Sequence, residues 1–310
     1  MSPTPSPTPS AFTCTVTPFA ADGALDTAAW REHVDRIVSA GMGVYAGSGS
    51  PGEGFALDLA ETETLYGIAA EVASGRAPVR AMGIESRTAA DYIELVRVAE
   101  TVGLDAIQIY CVDAGHANTP TPAELEHYFR TILDATTIAC TLSSHVFSGY
   151  VIPPDVVERL LADYPDRILG LTVTNPDIRY LVRVIEIADG RCDVHVGGAM
   201  QALSVLALGG QGFLCTEGNI IPRTCAAVVS GHLAGDMAAA QSAYRDVIAL
   251  FAANRWAGGS MRYLKAIMRV VGWPGHHLRP PFLPLDDDEV AAVADRIAEL
   301  GIAELHALRA

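Results

Sequence analysis

DVHVGGAMQALSVLALGGQGFLCT (193–216) reads as a strand, a helical stretch and a second strand in one short run. Its ends, DVHVGG (193–198) and QGFLCT (211–216), are β-rich, and 200–208 between them has a helical pattern. The same unit recurs along the chain. Candidate strands are TCTVTPF (13–19), GVYAGS (43–48), APVRAMG (77–83), AIQIYCV (106–112), TIACTL (137–142) and ILGLTV (168–173). Helical patterns cover 27–40, 59–74, 88–102, 122–134, 154–163, 176–188 and 222–234. In TAAWREHVDRIVSAG (27–41), Thr27 can cap the helix, Trp30, Val34 and Ile37 recur at helical spacing, and Gly41 can end it. Eight strand-then-helix units predict parallel strands joined by crossover helices, and eight is the number that closes a (β/α)8 TIM barrel of the α/β class. A doubly wound open sheet competes, but no G-x-G-x-x-G follows the first strand. Further helical segments near 236–254, 260–271 and 287–299 predict a C-terminal helical extension. The expected organisation is a disordered tail over 1–11, a barrel over 12–234 and the extension over 235–310.

Composition narrows the function classes. The formal net charge is −15, with acidic residues spread through the chain, which argues against partners such as nucleic acid or an anionic membrane. Six scattered cysteines without a C-x-x-C pair read as reduced, buried small hydrophobes. No apolar run is long enough to span a bilayer, and the Pro/Ser/Thr-rich start MSPTPSPTPSA lacks the basic and apolar regions of a signal peptide. The expectation is a cytoplasmic protein acting on a small molecule.

Four local signatures stand out: TVTPF (15–19) with DGALD (22–26), GSPGEGFALDLAE (49–61), GGQGFLCTEGNIIP (209–222) with its Asn-x-x-Pro ending, and YLKAIMRVVG (263–272) followed by LRPPFLPL (278–285). Together they resemble the dihydrodipicolinate synthase / N-acetylneuraminate lyase family. The resemblance covers roughly 12–300, in order. It implies a barrel lyase in which a lysine on strand six forms an imine with a keto acid and a tyrosine ending strand five shuttles protons. It also implies hydroxyls after strand two that bind the carboxylate, and a homo-oligomer, a tetramer or a dimer.

The chain departs from that pattern. Lys265 is its only lysine, and in ILGLTVTN (168–175) the place of the imine lysine falls on Thr172, whose hydroxyl cannot form an imine. In CTLSSHVFSGYVIPP (140–154) the tyrosine aligns with Leu142 and a usual arginine with Phe147, while the turn after strand two keeps Ser50 but has Pro51. Lys265 itself matches a lysine of the family's C-terminal helix and reads as a structural ion-pair former.

A barrel places reactive groups at the C-terminal ends of its strands. The catalytic candidates are His145 in the loop after strand five, Thr172, and an Asp113/His116 pair after strand four, where a carboxylate could orient an imidazole. Substrate-binding candidates are Ser50, Glu53, Thr17, Tyr110, Ser143 and Thr174. Each has a plainer reading. Glu53 could hydrogen-bond loop backbone, Thr17 could be a buried hydrogen-bond partner, Thr172 could fill volume, and His145 could be a solvent-facing loop residue. His195, within strand seven, reads as a core histidine. His116, His195, Asp113, Glu53 and Glu217 could supply metal ligands, but no H-x-H or H-E-x-x-H spacing occurs, so no metal and no cofactor are expected.

The resulting expectation is an imine-independent lyase, hydratase or cyclase on a small carbonyl- or carboxylate-bearing substrate. The alternative is a non-catalytic paralogue that binds a small ligand or serves as a structural partner.

Overall fold

A computed structural model describes residues 10–115, 118–256 and 259–309. Eight strands close a barrel in sequence order: β1 (Ser10–Cys14), β2 (Gly43–Ala46), β3 (Val79–Met82), β4 (Ala106–Tyr110), β5 (Cys140–His145), β6 (Ile168–Thr174), β7 (Asp193–Gly197) and β8 (Gly212–Cys215). Each is followed by a helix: α1 (Thr27–Ser39), α2 (Leu59–Ala73), α3 (Ala89–Val102), α4 (Pro122–Ala135), α5 (Pro154–Asp163), α6 (Ile178–Ala188), α7 (Ala202–Ala207) and α8 (Pro222–Leu233). The C-terminal helices are α9 (Met237–Ala253), α10 (Gly259–Val270), α11 (Asp287–Glu299) and α12 (Ala303–Arg309), the last not foreseen from the sequence. The (β/α)8 barrel with a helical extension is therefore the fold. Among the described residues, no helix is long and apolar enough to cross a membrane.

Helix starts follow local chemistry. Asp26, not Thr27, caps α1, its carboxylate accepting the Ala29 N–H at 2.9 Å. Capping boxes open α2 (Asp58 with Glu61), α4 (Thr121 with Glu124) and α11 (Asp286 with Glu289).

Two strands lie elsewhere than the β-rich runs suggest, for identifiable reasons. β1 occupies 10–14 rather than 13–19, and Ser10 donates its N–H to the Gln211 carbonyl at 2.7 Å, so residues 10 and 11 belong to the sheet and not to a tail. Past Thr15, whose N–H still meets the Tyr45 carbonyl at 3.1 Å, the backbone turns away, with Val16 N–H going to the Asn219 side chain (2.9 Å) and Phe19 N–H to the Gly275 carbonyl (3.2 Å). β5 occupies 140–145 rather than 137–142, because the Glu100 carboxylate takes the N–H groups of Thr137 and Ile138 before the ladder begins.

The chain forms two compact units: Ser10 with 80–214, and 11–79 with 215–309. The first has a polar interior. Gly170 pairs with Asp193 and Thr172 with His195, and in-register partners share a face of the sheet. Arg80 at the start of β3 forms an ion pair with Asp193 at 2.8 Å, and His195 Nε2 lies 2.9 Å from the Ser10 hydroxyl. The second unit is held by its own long-range bonds. Trp30 of α1 donates to the Leu65 carbonyl of α2 at 2.9 Å, and Glu304 of α12 accepts the N–H groups of Arg223 and Thr224 at the start of α8.

His195 is 2% exposed, and burial, reinforced by the charge of Arg80, pulls its imidazole down to about 3. In the unfolded chain the same group titrates near ~6.5. A depressed folded-state value means the folded protein resists protonation. The stabilisation is thus complete above about pH 6.5 and declines as the pH falls towards the folded value, by roughly 1.4 kcal/mol per pH unit. His195→Gln is expected to flatten the acid side of the stability profile, removing about 2 kcal/mol of the loss between about pH 6.5 and pH 5. Urea unfolding at both pH values checks this, and an unchanged slope would exclude His195 as its source.

Candidate active site

The first unit carries a polar face on β4, β5 and β6. Thr172 on β6 donates its hydroxyl to Gln108 Oε1 on β4 at 2.7 Å. These strands are separated by β5, so the bond crosses the barrel interior and fixes which side chains point inward. Ser143 on β5 pairs with Tyr110 on one side and Thr172 on the other, and so shares their face. The next residue points the opposite way: Ser144 is hydrogen-bonded at 2.6 Å to the Tyr180 hydroxyl of α6.

Leu142, where the family's tyrosine falls in the sequence comparison, pairs with Leu171 on the outer face. The inward neighbour of Thr172 is Ser143 instead. A bulge early in β6, where Ile168 pairs with Cys140 and Gly170 with Thr141, leaves Leu169 unpaired and moves the partner of Thr172 from Ser144, which an unbroken register would give, to Ser143. One extra residue reverses the faces of everything before it relative to everything after it.

Ser143 is wholly buried, and its hydroxyl has no hydrogen-bond partner. Buried polar groups are almost always paired, so an unpartnered hydroxyl on an inward face stands out among the residues of β5. His145, two residues on, shares that face at the end of β5 and is a strand residue, not part of the following loop. Its ring lies 6.2 Å from that of Tyr110 and 4.9 Å from that of Phe147. The Phe147 N–H donates to His145 Nδ1 at 3.3 Å, which leaves the proton of the neutral ring on Nε2. Burial pulls this imidazole down to about 4, so near neutrality it is an uncharged N–H donor rather than an imidazolium.

Other candidates are placed differently. Thr174 pairs with His145, and its hydroxyl fills the space a Cβ at Gly197 would need, which is why glycine stands there. Asp113 is held by its own loop, accepting the Gly115 N–H at 3.0 Å and lying 3.8 Å from Arg87. His116, its proposed partner, lies outside the described residues.

Thr17, Ser50 and Glu53 belong to the second unit. Thr17 is fully buried and donates its hydroxyl to the Gly52 carbonyl at 2.5 Å. Ser50 is exposed and precedes a cis bond to Pro51. Gly52 lies against Ser48, where a Cβ would sit 2.8 Å from the Ser48 carbonyl oxygen. Glu53 adopts a left-handed backbone (φ 52°), a conformation held by its side chain. One carboxylate oxygen binds Lys265 Nζ, and the other accepts the Arg279 N–H at 3.0 Å. Lys265 also donates to the His277 carbonyl at 2.5 Å and lies 4.7 Å from the centre of the Phe19 ring. Burial lowers its ammonium to about 8 against the upward pull of Glu53. Arg279 extends the strut, bonding Gly23, Ala56 and Glu61.

Comparison with known proteins fits this architecture. The profile of the dihydrodipicolinate synthetase family matches residues 9–300. The chain belongs to that family. A 4-hydroxy-tetrahydrodipicolinate synthase from Hyphomonas neptunium is 31% identical over 294 residues, covering 94% of this chain and 97% of that protein. An uncharacterized DapA-like lyase from Rhizobium meliloti is 26% identical over 299 residues, 95% of this chain and 97% of that one. Among solved structures, a prophage protein of the dihydrodipicolinic acid synthase family from E. coli K12, in complex with pyruvate, superposes with a TM-score of 0.85 at 24% identity, over 94% of this chain and 98% of that one.

Within this family member, sequence reasoning passed over two polar residues that organise the structure. Gln108 interrupts the apolar strand AIQIY and anchors Thr172; a lone amide in a buried run was the available signal. Asn219 accepts from Val16 N–H and lies 2.8 Å from His33 Nε2, while its amide donates to the Cys14 and Thr216 carbonyls. Only the Asn-x-x-Pro motif hinted at that role. Among the described residues, no three His, Cys, Asp or Glu side chains gather as metal ligands.

Proposed function

We propose that the protein is an imine-independent lyase, hydratase or cyclase. Its substrate is a small molecule bearing a carbonyl or carboxylate, bound at the β4–β6 face. The observation that carries this reading is the state of the only lysine. Lys265 is on α10 rather than β6, and its amine is enclosed by Glu53, the His277 carbonyl and Phe19. Residues 80–214, which include the whole β4–β6 face, contain no lysine.

Hydrogen bonding then takes over part of what a protonated imine does. The free Ser143 hydroxyl and the neutral His145 Nε2–H are donors on one face, and together they can polarise a substrate carbonyl as negative charge develops on its oxygen. A neutral imidazole is a suitable electrophile here, because it donates without adding a buried positive charge. Thr172 has a positioning part, since its hydroxyl already donates to Gln108.

Incubation with pyruvate and sodium borohydride is the direct test, read by intact-protein mass. The expected result is no added mass, whereas a reduced adduct mapping to Lys265 would end the proposal. The pyruvate bound to the E. coli prophage protein puts keto acids first in a thermal-shift panel, since a ligand specific for the native state raises its melting temperature. Binding without turnover across hydroxy acids, keto acids and aldehydes would replace this reading with a ligand-binding paralogue.

A further inference from the structure

The second unit contains a cavity of about 160 Å³ that shares no residue with the β4–β6 face. It lies among α10, α11 and the segment 276–285, and Arg262, Lys265, Arg269, His276 and His277 line its polar side. This collection of basic side chains is unusual in a chain of net charge −15, and none of the described lining residues is acidic. The rest of the wall is apolar, with Leu285 and Val290 contributing.

The basic groups differ in availability. Lys265 is committed to Glu53 and the His277 carbonyl. Arg269 is exposed and pairs with Asp287 at 2.6 Å, a carboxylate that is itself 88% exposed. Exposed pairs of this kind contribute little, so the guanidinium can be shared with a ligand at small cost. His276 and His277 lie ring against ring, 4.6 Å between centres, and His276 Nδ1 is engaged by the Trp273 carbonyl at 2.9 Å. Neighbouring charge acts on this pair: after burial, the influences holding the His277 imidazole below its usual range are His276, Lys265 and Arg269. The polar side of the cavity therefore offers guanidinium and imidazole donors and no lining carboxylate, which suits an anionic acceptor.

We infer that this cavity is a second ligand site, which takes a small aliphatic carboxylate. The carboxylate meets Arg269 and the histidine pair, and a short alkyl chain lies against Leu285 and Val290. An Arg–carboxylate contact supplies directionality that a point charge does not. The volume excludes drug-sized ligands, which need roughly 300 Å³ or more. A bare oxyanion would leave the apolar wall facing water.

Pentanoate is the probe, followed by isothermal titration, with pentan-1-ol and inorganic phosphate as the two halves of its chemistry. The expected result is that pentanoate binds and neither control does. Arg269→Ala should weaken pentanoate by about tenfold, the loss of one charge-assisted contact. Val290→Trp, which fills the cavity, should abolish binding. Ser143→Ala should leave pentanoate affinity unchanged, which separates this site from the proposed active site. Absence of pentanoate binding, or equal affinity in wild type and Arg269→Ala, would overturn the assignment. Phosphate binding as tightly as pentanoate would overturn the aliphatic class. Arg269 is exposed, so its variant keeps the test valid if Val290→Trp does not fold.

Discussion

Lys265→Met is expected to destabilise the protein by about 3–5 kcal/mol, the usual cost of removing one partner from a buried ion pair. The side chains of Lys265 and Glu53 are 2% and 0% exposed. Methionine replaces the aliphatic stem but leaves the Glu53 carboxylate buried with only the Arg279 N–H. Glu53 also holds a left-handed backbone, so loss of its partner frees a turn that is already conformationally unfavourable. At roughly 2–4 °C per kcal/mol for a large domain, the melting temperature should fall on the order of 10 °C. Adding Glu53→Gln should cost less than the sum of the two single variants, because the second change removes the orphaned charge. Denaturant unfolding of the four proteins measures this coupling. A loss below about 1 kcal/mol for Lys265→Met would mean that the pair behaves like a surface pair.

Ser143→Ala is expected to do the reverse, leaving the fold intact and removing activity. Its hydroxyl is buried without a partner, so deleting it removes an unsatisfied polar group and should be neutral or slightly stabilising. If the hydroxyl donates to a developing oxyanion, turnover on the compound found by thermal shift should fall by about 10²–10³. A melting temperature that drops while turnover persists would make Ser143 a packing residue. His145→Ala in the same assay then asks whether the second donor acts with the first. Retained activity in both variants would remove the β4–β6 face as the reaction site.

The candidate site was only partly readable before the fold was known. Thr172, Ser143 and His145 stood out by residue type and by their position near strand ends. What could not be read was parity. CTLSSH and ILGLTVT are buried strands covered by helices outside and by side chains inside, so neither face is consistently polar. Alternation fixes which residues share a face but not which face points inward, and the bulge at Leu169 changes the answer within β6. The Thr172–Gln108 bond supplies the missing orientation, across 64 positions of sequence.

By itself, the sequence determined the strand–helix alternation, the two ends of α1 within a residue, and the confinement of the chain's single side-chain amine to Lys265. These are local properties, set by periodicity, by side-chain hydrogen bonds a few residues apart, and by composition. The tertiary structure alone decided that Lys265 meets Glu53, 212 positions away, that His195 meets Ser10, and that Ser143 rather than Leu142 lies beside Thr172. Those outcomes depend on strand register and on which distant groups satisfy one another once water is excluded. A short range of residues carries no record of its partners, because pairing is settled only when the whole barrel closes.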